Sequence, residues 1–331
     1  MTTPLQFEER HAPQWQELET LLAQAEGKPV KDARPSGARM ALLYRRACEQ
    51  LALAQVRAYP IHLTQRIERL AERAHRQIYR PPAWNARRLG RFFLVGFPQA
   101  VRAHRGYLLV ATLLFLLPLL FMGWACWRDP GFILHVMDAG QVRQYDAMYS
   151  NTAAMGRVRS ADSDLTMFGF YIMHNIGLGF QCFASGLFAG LPTVFFLAYN
   201  GVHAGAVGGY LIAGGKAENF LSFVVTHAAF ELTAIVLAGA AGLRLGHALL
   251  APGRRTRLEA LKFNARGAVP IVYGVVGMLL VAAALEAFWS SARWVAPWIK
   301  YGVGGVCWVL VLGYLGWQGR PGVQAEAARA G

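Results

Sequence analysis

From Tyr107 to Trp127 the chain runs 21 residues without one charged side chain. About 20 apolar residues in helical form match the hydrocarbon thickness of a bilayer, so this run reads as a membrane span despite Pro118. Five more runs of similar length follow: Phe168–Phe188, Pro192–Ile212, Phe220–Leu243, Ala268–Phe288 and Trp298–Trp317. Lipid offers backbone groups no hydrogen-bond partner, which leaves helices as the natural spanning element. The expected fold is therefore all-α: a polytopic bundle of about six transmembrane helices over residues 107–318. The second and third spans are separated only by Gly190-Leu191-Pro192, so their boundary is the least defined. Composition agrees, because 16% charged residues is low for a soluble protein.

Lys and Arg set the orientation, since they collect on cytoplasmic flanks. Residues 1–106 hold 18 Lys+Arg against 9 Asp+Glu, and 128–166 hold four Arg against five Asp. Segment 244–267 carries Arg244, Arg254, Arg255, Arg257, Lys262 and Arg266 against Glu259 alone. Both termini inside, with 128–166 as an external loop, satisfies all three. The net charge of +14 then reads as a topology signal and a match for anionic lipids. Nucleic acid is not an expected partner, because the basic residues hug the membrane ends and no reading motif accompanies them.

The first residues, MTTPLQFEERHAPQW, lack a basic stretch followed by an apolar one, so insertion is expected to use the first span rather than a cleaved signal. Residues 1–82 read as a cytoplasmic helical domain. Phe7, Trp15, Leu18, Leu21 and Leu22 share helical spacing until Gly27-Lys28-Pro29 stops the helix. A second helix starts at Ser36 as N-cap and carries Met40, Leu43, Ala47, Leu51 and Ala54. A third, from Pro60 to before Pro81-Pro82, carries Ile61, Ile67, Leu70, Ala74 and Ile78. Residues 83–106 mix aromatic and basic residues over too short an apolar run to span. An amphipathic elbow under the headgroups is the expected use, and a kink buried in the bundle is the alternative. Phe132, Ile133, Leu134, Val142, Tyr145, Met148 and Tyr149 suggest a short amphipathic helix in the external loop. Asp162 and Asp164 read as the cap of the second span. Residues 319–331 read as a disordered tail. The cysteines, Cys48, Cys126, Cys182 and Cys307, have no CxxC spacing and read as apolar fillers rather than disulfides or zinc ligands.

Polar residues inside spans are costly and mark function or structure-fixing networks. His227 and Glu231 are four apart and share a helix face. Counting depth along each span places Asn175, Asn200, His203, His227 and Glu231 in one thin mid-membrane slab. Three uses fit that cluster: an interhelical hydrogen-bond network, a proton- or ion-handling site, and a metal site drawing on His203, His227 and Glu231. No HExxH, Gly-x-Ser-x-Gly or Walker loop occurs, so catalytic residues and cofactors are not expected.

Several motifs resemble the stage II sporulation protein M family of bacterial integral membrane proteins. They are Phe7-Glu8-Glu9-Arg10 with Trp15 and Leu18, then Leu42 to Ala52, and Met167 to Ile176. Tyr199-Asn200-Gly201-Val202-His203-Ala204-Gly205 follows. The most specific is Thr226-His227 with Phe230-Glu231-Leu232-Thr233-Ala234-Ile235, followed by Ala238 to Leu243. Members commonly have Asn-Asn where this chain has His174-Asn175, so only Asn175 carries over directly. The resemblance implies a multi-pass protein of the bacterial inner membrane. The member that names the family belongs to an envelope-remodelling machinery, and the resemblance implies no sporulation role here. A non-enzymatic scaffold that recruits unidentified protein partners is the leading expectation. A transporter, channel or lipid-handling protein using the polar cluster is the alternative, and an intramembrane hydrolase ranks last. Glycine-rich helix faces add an expectation of a homodimer.

Overall fold

The computed structural model describes residues 3–26, 37–79, 86–150, 161–292 and 294–320. The expected stop at Gly27-Lys28-Pro29, the Ser36 cap, the Pro81-Pro82 end, the Asp162 side chain and the tail beyond Arg320 lie outside them. Every regular element among the described residues is helical. The chain divides into two units, Met1–Asn85 and Ala86–Gly331.

The first unit contains α1 (Pro4–Ala25), α2 (Gly37–Val56) and α3 (Ile61–Ile78). Thr3 opens α1 with a capping box: its hydroxyl accepts from the Gln6 amide, and the Gln6 side chain accepts from the Thr3 amide. The three apolar stripes close on one core that includes Trp15, Leu18, Leu22, Leu43, Ile67 and Ala74. Buried Gln50 is satisfied within it, accepting from the Trp15 indole at 2.7 Å and donating to Gln14 at 2.9 Å. The α2–α3 turn forces Ala58 to a left-handed φ of 50°. A left-handed residue with a Cβ carries about 1–2 kcal/mol of strain that glycine avoids. Ala58→Gly is therefore expected to raise the denaturation midpoint of this unit; a lowered midpoint would contradict the strain argument.

The second unit begins with α4 (Ala86–Arg91), a π-helical turn (Phe92–Gly96) and α5 (Phe97–Ala103). Phe97, Pro98 and Val101 are buried. The Phe97 ring lies over Gly274, and Arg102 donates to the Leu315 carbonyl at 2.8 Å. The α5 half of the elbow is thus a packed part of the bundle. Then come α6 (Arg105–Arg128), α7 (Ala139–Tyr149), α8 (Ala161–Ala184) and α9 (Leu191–Ala213). They are followed by α10 (Ala217–Leu250), α11 (Arg257–Ala284), a π-helical turn (Leu285–Ser290) and α12 (Pro297–Trp317).

Four of these, α6, α10, α11 with its π turn, and α12, are long and apolar enough to cross a membrane. Leu109, Leu113, Leu117 and Leu120 of α6 face outward, as expected of a helix solvated by lipid. α8 and α9 have comparable length, 24 and 23 residues, and carry His174, Asn175, Asn200 and His203 within them. They are separate helices, joined through a sealed turn in which Ser185 meets Thr193 at 2.9 Å.

α10 is the central element, packed on α6, α8, α9, α11 and α12. The closest pairing is α6 with α9. Gly201, Gly205 and Gly209 recur every four residues on one face of α9, and a Cβ there would fall on the carbonyl oxygens of Phe115, Leu119 and Gly123. The backbones touch because these residues lack side chains.

Of the amphipathic helix expected in segment 128–166, α7 holds Val142, Tyr145, Met148 and Tyr149, with Val142 and Tyr149 buried, whereas Phe132, Ile133 and Leu134 lie on a separate 3-10 turn, Pro130–His135. Asp146 ties α7 down by accepting from the Tyr210 hydroxyl at 2.8 Å and from the Lys216 ammonium. Burial acts to raise the Asp146 pKa, but the hydrogen bonds from Lys216 and Tyr210 outweigh it, and the net shift is downward from the ordinary 3.8. A depressed carboxylate pKa contributes stability that is present above the unfolded value and lost as pH falls through the folded one. Hydrogen exchange in α7, corrected for intrinsic rates, is expected to stay flat from pH 7 to 5 and to rise below about pH 4. Asp146→Asn should remove that acid step, and an unchanged profile would show that the anchor does not hold α7.

Candidate functional site

His227 and Glu231 project from α10 one turn apart, as their spacing requires. The helix α11 ends in a π-helical turn, whose wider winding presents Glu286 and Ser290 to the same place. Ligand-type atoms of His227, Glu231 and Glu286 all lie within 4.8 Å of one another. His227 is 5% exposed. Its Nδ1 lies 2.9 Å from Ser290 Oγ, and its Nε2 faces Glu231 Oε2 at 3.9 Å. Asn175 of α8 donates to Glu286 Oε2 at 3.4 Å, a long hydrogen bond. Lys300, buried near the start of α12, donates to the Ser290 carbonyl oxygen at 2.7 Å. Trp289 donates to Thr226 Oγ1 at 3.2 Å. Four helices thus supply one polar centre inside the bundle.

The centre lies off the middle of α10, toward its first residues. His227 and Glu231 are about 15–20 Å from the start of α10, a helix of about 50 Å. Lys300 lies in the first turn of α12. Above it, Tyr149 of α7 packs on Phe220 and Phe223, and the Phe223 ring meets His227 edge-on at 5.3 Å. Burial, with the negative charge of Glu286 adding to it, pushes the Tyr149 hydroxyl well above its ordinary pKa. The group covering this end is a neutral phenol.

Of the five residues expected in one slab, the structure gathers three: His227 and Glu231 directly, and Asn175 through Glu286. Asn200 instead donates to the Phe196 carbonyl of its own helix at 2.7 Å. His203 packs between Tyr145 and Tyr199, with ring centroids 6.1 and 6.2 Å away. Among the described residues His203 is not part of the metal-type grouping, and Glu286 takes its place. The physical reason is that depth along a helix fixes height but not direction. α9 turns its glycine face to α6, and His203 points elsewhere. Glu286 and Lys300 belong to the centre as well, and each is a charge inside an apolar run of the sequence. Both sit near span ends, outside the mid-depth slab, where such residues look like interfacial anchors.

A histidine and two carboxylates in apolar surroundings hold a proton or a cation far better than they stand bare, because two buried like charges repel. Among the described residues, His227, Glu231 and Glu286 are grouped closely enough to hold a metal.

Residues 111–291, more than half of the chain, match the family model described as Stage II sporulation protein M. Residues 5–80 match a separate model, Domain of unknown function (DUF8413), so the N-terminal motifs fall outside the first match. No curated protein and no solved structure matches the chain.

Proposed function

The chain belongs to the Stage II sporulation protein M family, and from that premise we propose that it is a non-enzymatic component of an envelope-associated complex in the bacterial inner membrane. In this reading the bundle has six spans: the four apolar helices plus α8 and α9. Both termini are cytoplasmic, and segment 128–166 is external. The observation that carries the recruiting role is the surface of the N-terminal unit. It closes its own core, yet Leu5, Val56 and Ile61 stay exposed on it. Large apolar side chains left exposed beside a closed core are where a protein partner would gain contact.

A photocrosslinker at Val56 is expected to give a discrete adduct with another protein in cells, reduced by Ile61→Asp. Adducts only to lipid or to the chain itself would sink the recruiting role. Topology is checked separately by cysteine labelling of intact cells. Ser150→Cys should react from outside and Thr256→Cys should not, and the reverse pattern would overturn the orientation. Self-association rests on narrower ground. Gly201, Gly205, Gly209 and Gly242 are consumed inside one protomer, whereas Gly302, Gly305 and Gly316 of α12 have open space beside them.

A second reading is favoured by the His227–Glu231–Glu286 centre. It supports ion or proton handling by a transporter, channel or lipid-handling protein.

A further inference from the structure

We infer that His227, Glu231 and Glu286 bind one divalent first-row transition-metal cation of the zinc or manganese class. The inference deepens the ion-handling reading and rests on it.

Three features of the geometry point to an ion rather than to a proton shared directly. A charge-assisted hydrogen bond between imidazole and carboxylate closes to about 2.7–2.9 Å. The His227–Glu231 gap of 3.9 Å is wider, and Glu286 reaches into the same space. Zinc bonds nitrogen and oxygen ligands at about 2.0–2.2 Å, which sets neighbouring ligand atoms about 3.3–3.6 Å apart in a tetrahedron. Atoms within 4.8 Å of one another need only small side-chain adjustments to reach that spacing.

The supporting groups have the form a metal site uses. A ligating histidine commits its other ring nitrogen to an outer partner, which fixes the tautomer. Here Ser290 Oγ takes Nδ1 and leaves Nε2 turned to the carboxylates. Asn175 holds one Glu286 oxygen and orients the other. The ammonium of Lys300 is held by the Ser290 carbonyl oxygen. One imidazole with two carboxylates selects borderline cations over Ca²⁺ or Mg²⁺, which favour all-oxygen surroundings.

The test uses the full chain in nanodiscs, stripped with chelator and titrated with ZnCl₂ or MnCl₂, with MgCl₂ for comparison. Bound metal is counted by mass spectrometry after desalting. Wild type is expected to retain about one zinc or manganese per chain. His227→Gln and Glu286→Gln should weaken binding at least about 10-fold, and Ser290→Ala about 10–100-fold as an outer-partner change. His203→Gln should bind as wild type does. X-ray absorption of the zinc-loaded wild type needs no variant and covers the case in which a substitution prevents folding. A shell of one imidazole and oxygen ligands supports the site, whereas sulfur or several imidazoles would place the metal elsewhere and overturn it. Wild type that retains no zinc or manganese also overturns it. If Glu286→Gln loses cellular function while wild type binds no metal, the ion- or proton-handling reading survives and this inference fails.

Discussion

Replacing Gly205 with leucine is expected to stop the membrane unit from assembling. A Cβ at this position would meet the Leu119 carbonyl oxygen and the Gly123 amide nitrogen of α6. Backbone cannot turn aside as a side-chain tip can, so α6 and α9 must separate along their length. Overpacking a core costs about 1–3 kcal/mol when side chains can adjust, and a domain has only about 5–15 kcal/mol in total. Gly205→Ala should already lower the unfolding midpoint, and Gly205→Leu should leave little monodisperse protein. Gly302→Leu is the matched control, because nothing lies within 4 Å of a Cβ there. Fluorescence-detected size exclusion after graded heating measures all three. A Gly205→Leu protein with the wild-type midpoint would mean that the α6–α9 contact is not built as described.

That contact also shows what the sequence made readable. The glycine-rich faces are visible in the sequence, but not which helix each one meets. Periodicity carries the face of a helix and not the identity of its neighbour. The N-terminal unit was legible nearly residue by residue, since Trp15, Leu43 and Ile67 lie on stripes whose only outlet is one another. The apolar content of α6, α10, α11 and α12 likewise forces their existence. The boundary between α8 and α9 was harder, because only a short turn at Ser185–Gly190 separates two apolar helices.

The candidate site was half legible for a related reason. His227 and Glu231 share one helix, so local geometry brings them together. Glu286 joins them only because α11 ends in a π turn, and no composition rule announces that turn. Lys300 is placed by the tertiary packing of α12 on α10, which the sequence order alone leaves open.

Glu231 and Glu286 are expected to behave as one unit in a double-mutant cycle. Each faces His227 and the other within 4.8 Å, so a proton or cation that satisfies one is shared with the other. Either single change to glutamine already removes the repulsion, and the second change then has little left to relieve. The thermal effects of Glu231→Gln and Glu286→Gln should therefore fail to add, with a coupling of at least about 1 kcal/mol against the 0.3–0.5 kcal/mol scatter of independent sites. Glu231→Leu should be worse than Glu231→Gln by about 1–3 kcal/mol, because it removes a polar group facing His227, which an amide would keep. Cellular function then separates the two uses of the centre. A purely structural network tolerates Glu231→Gln, whereas ion or proton handling gives a protein that folds normally and fails. Strict additivity in the cycle, with wild-type function in all variants, would show that the two carboxylates neither share a partner nor serve one purpose.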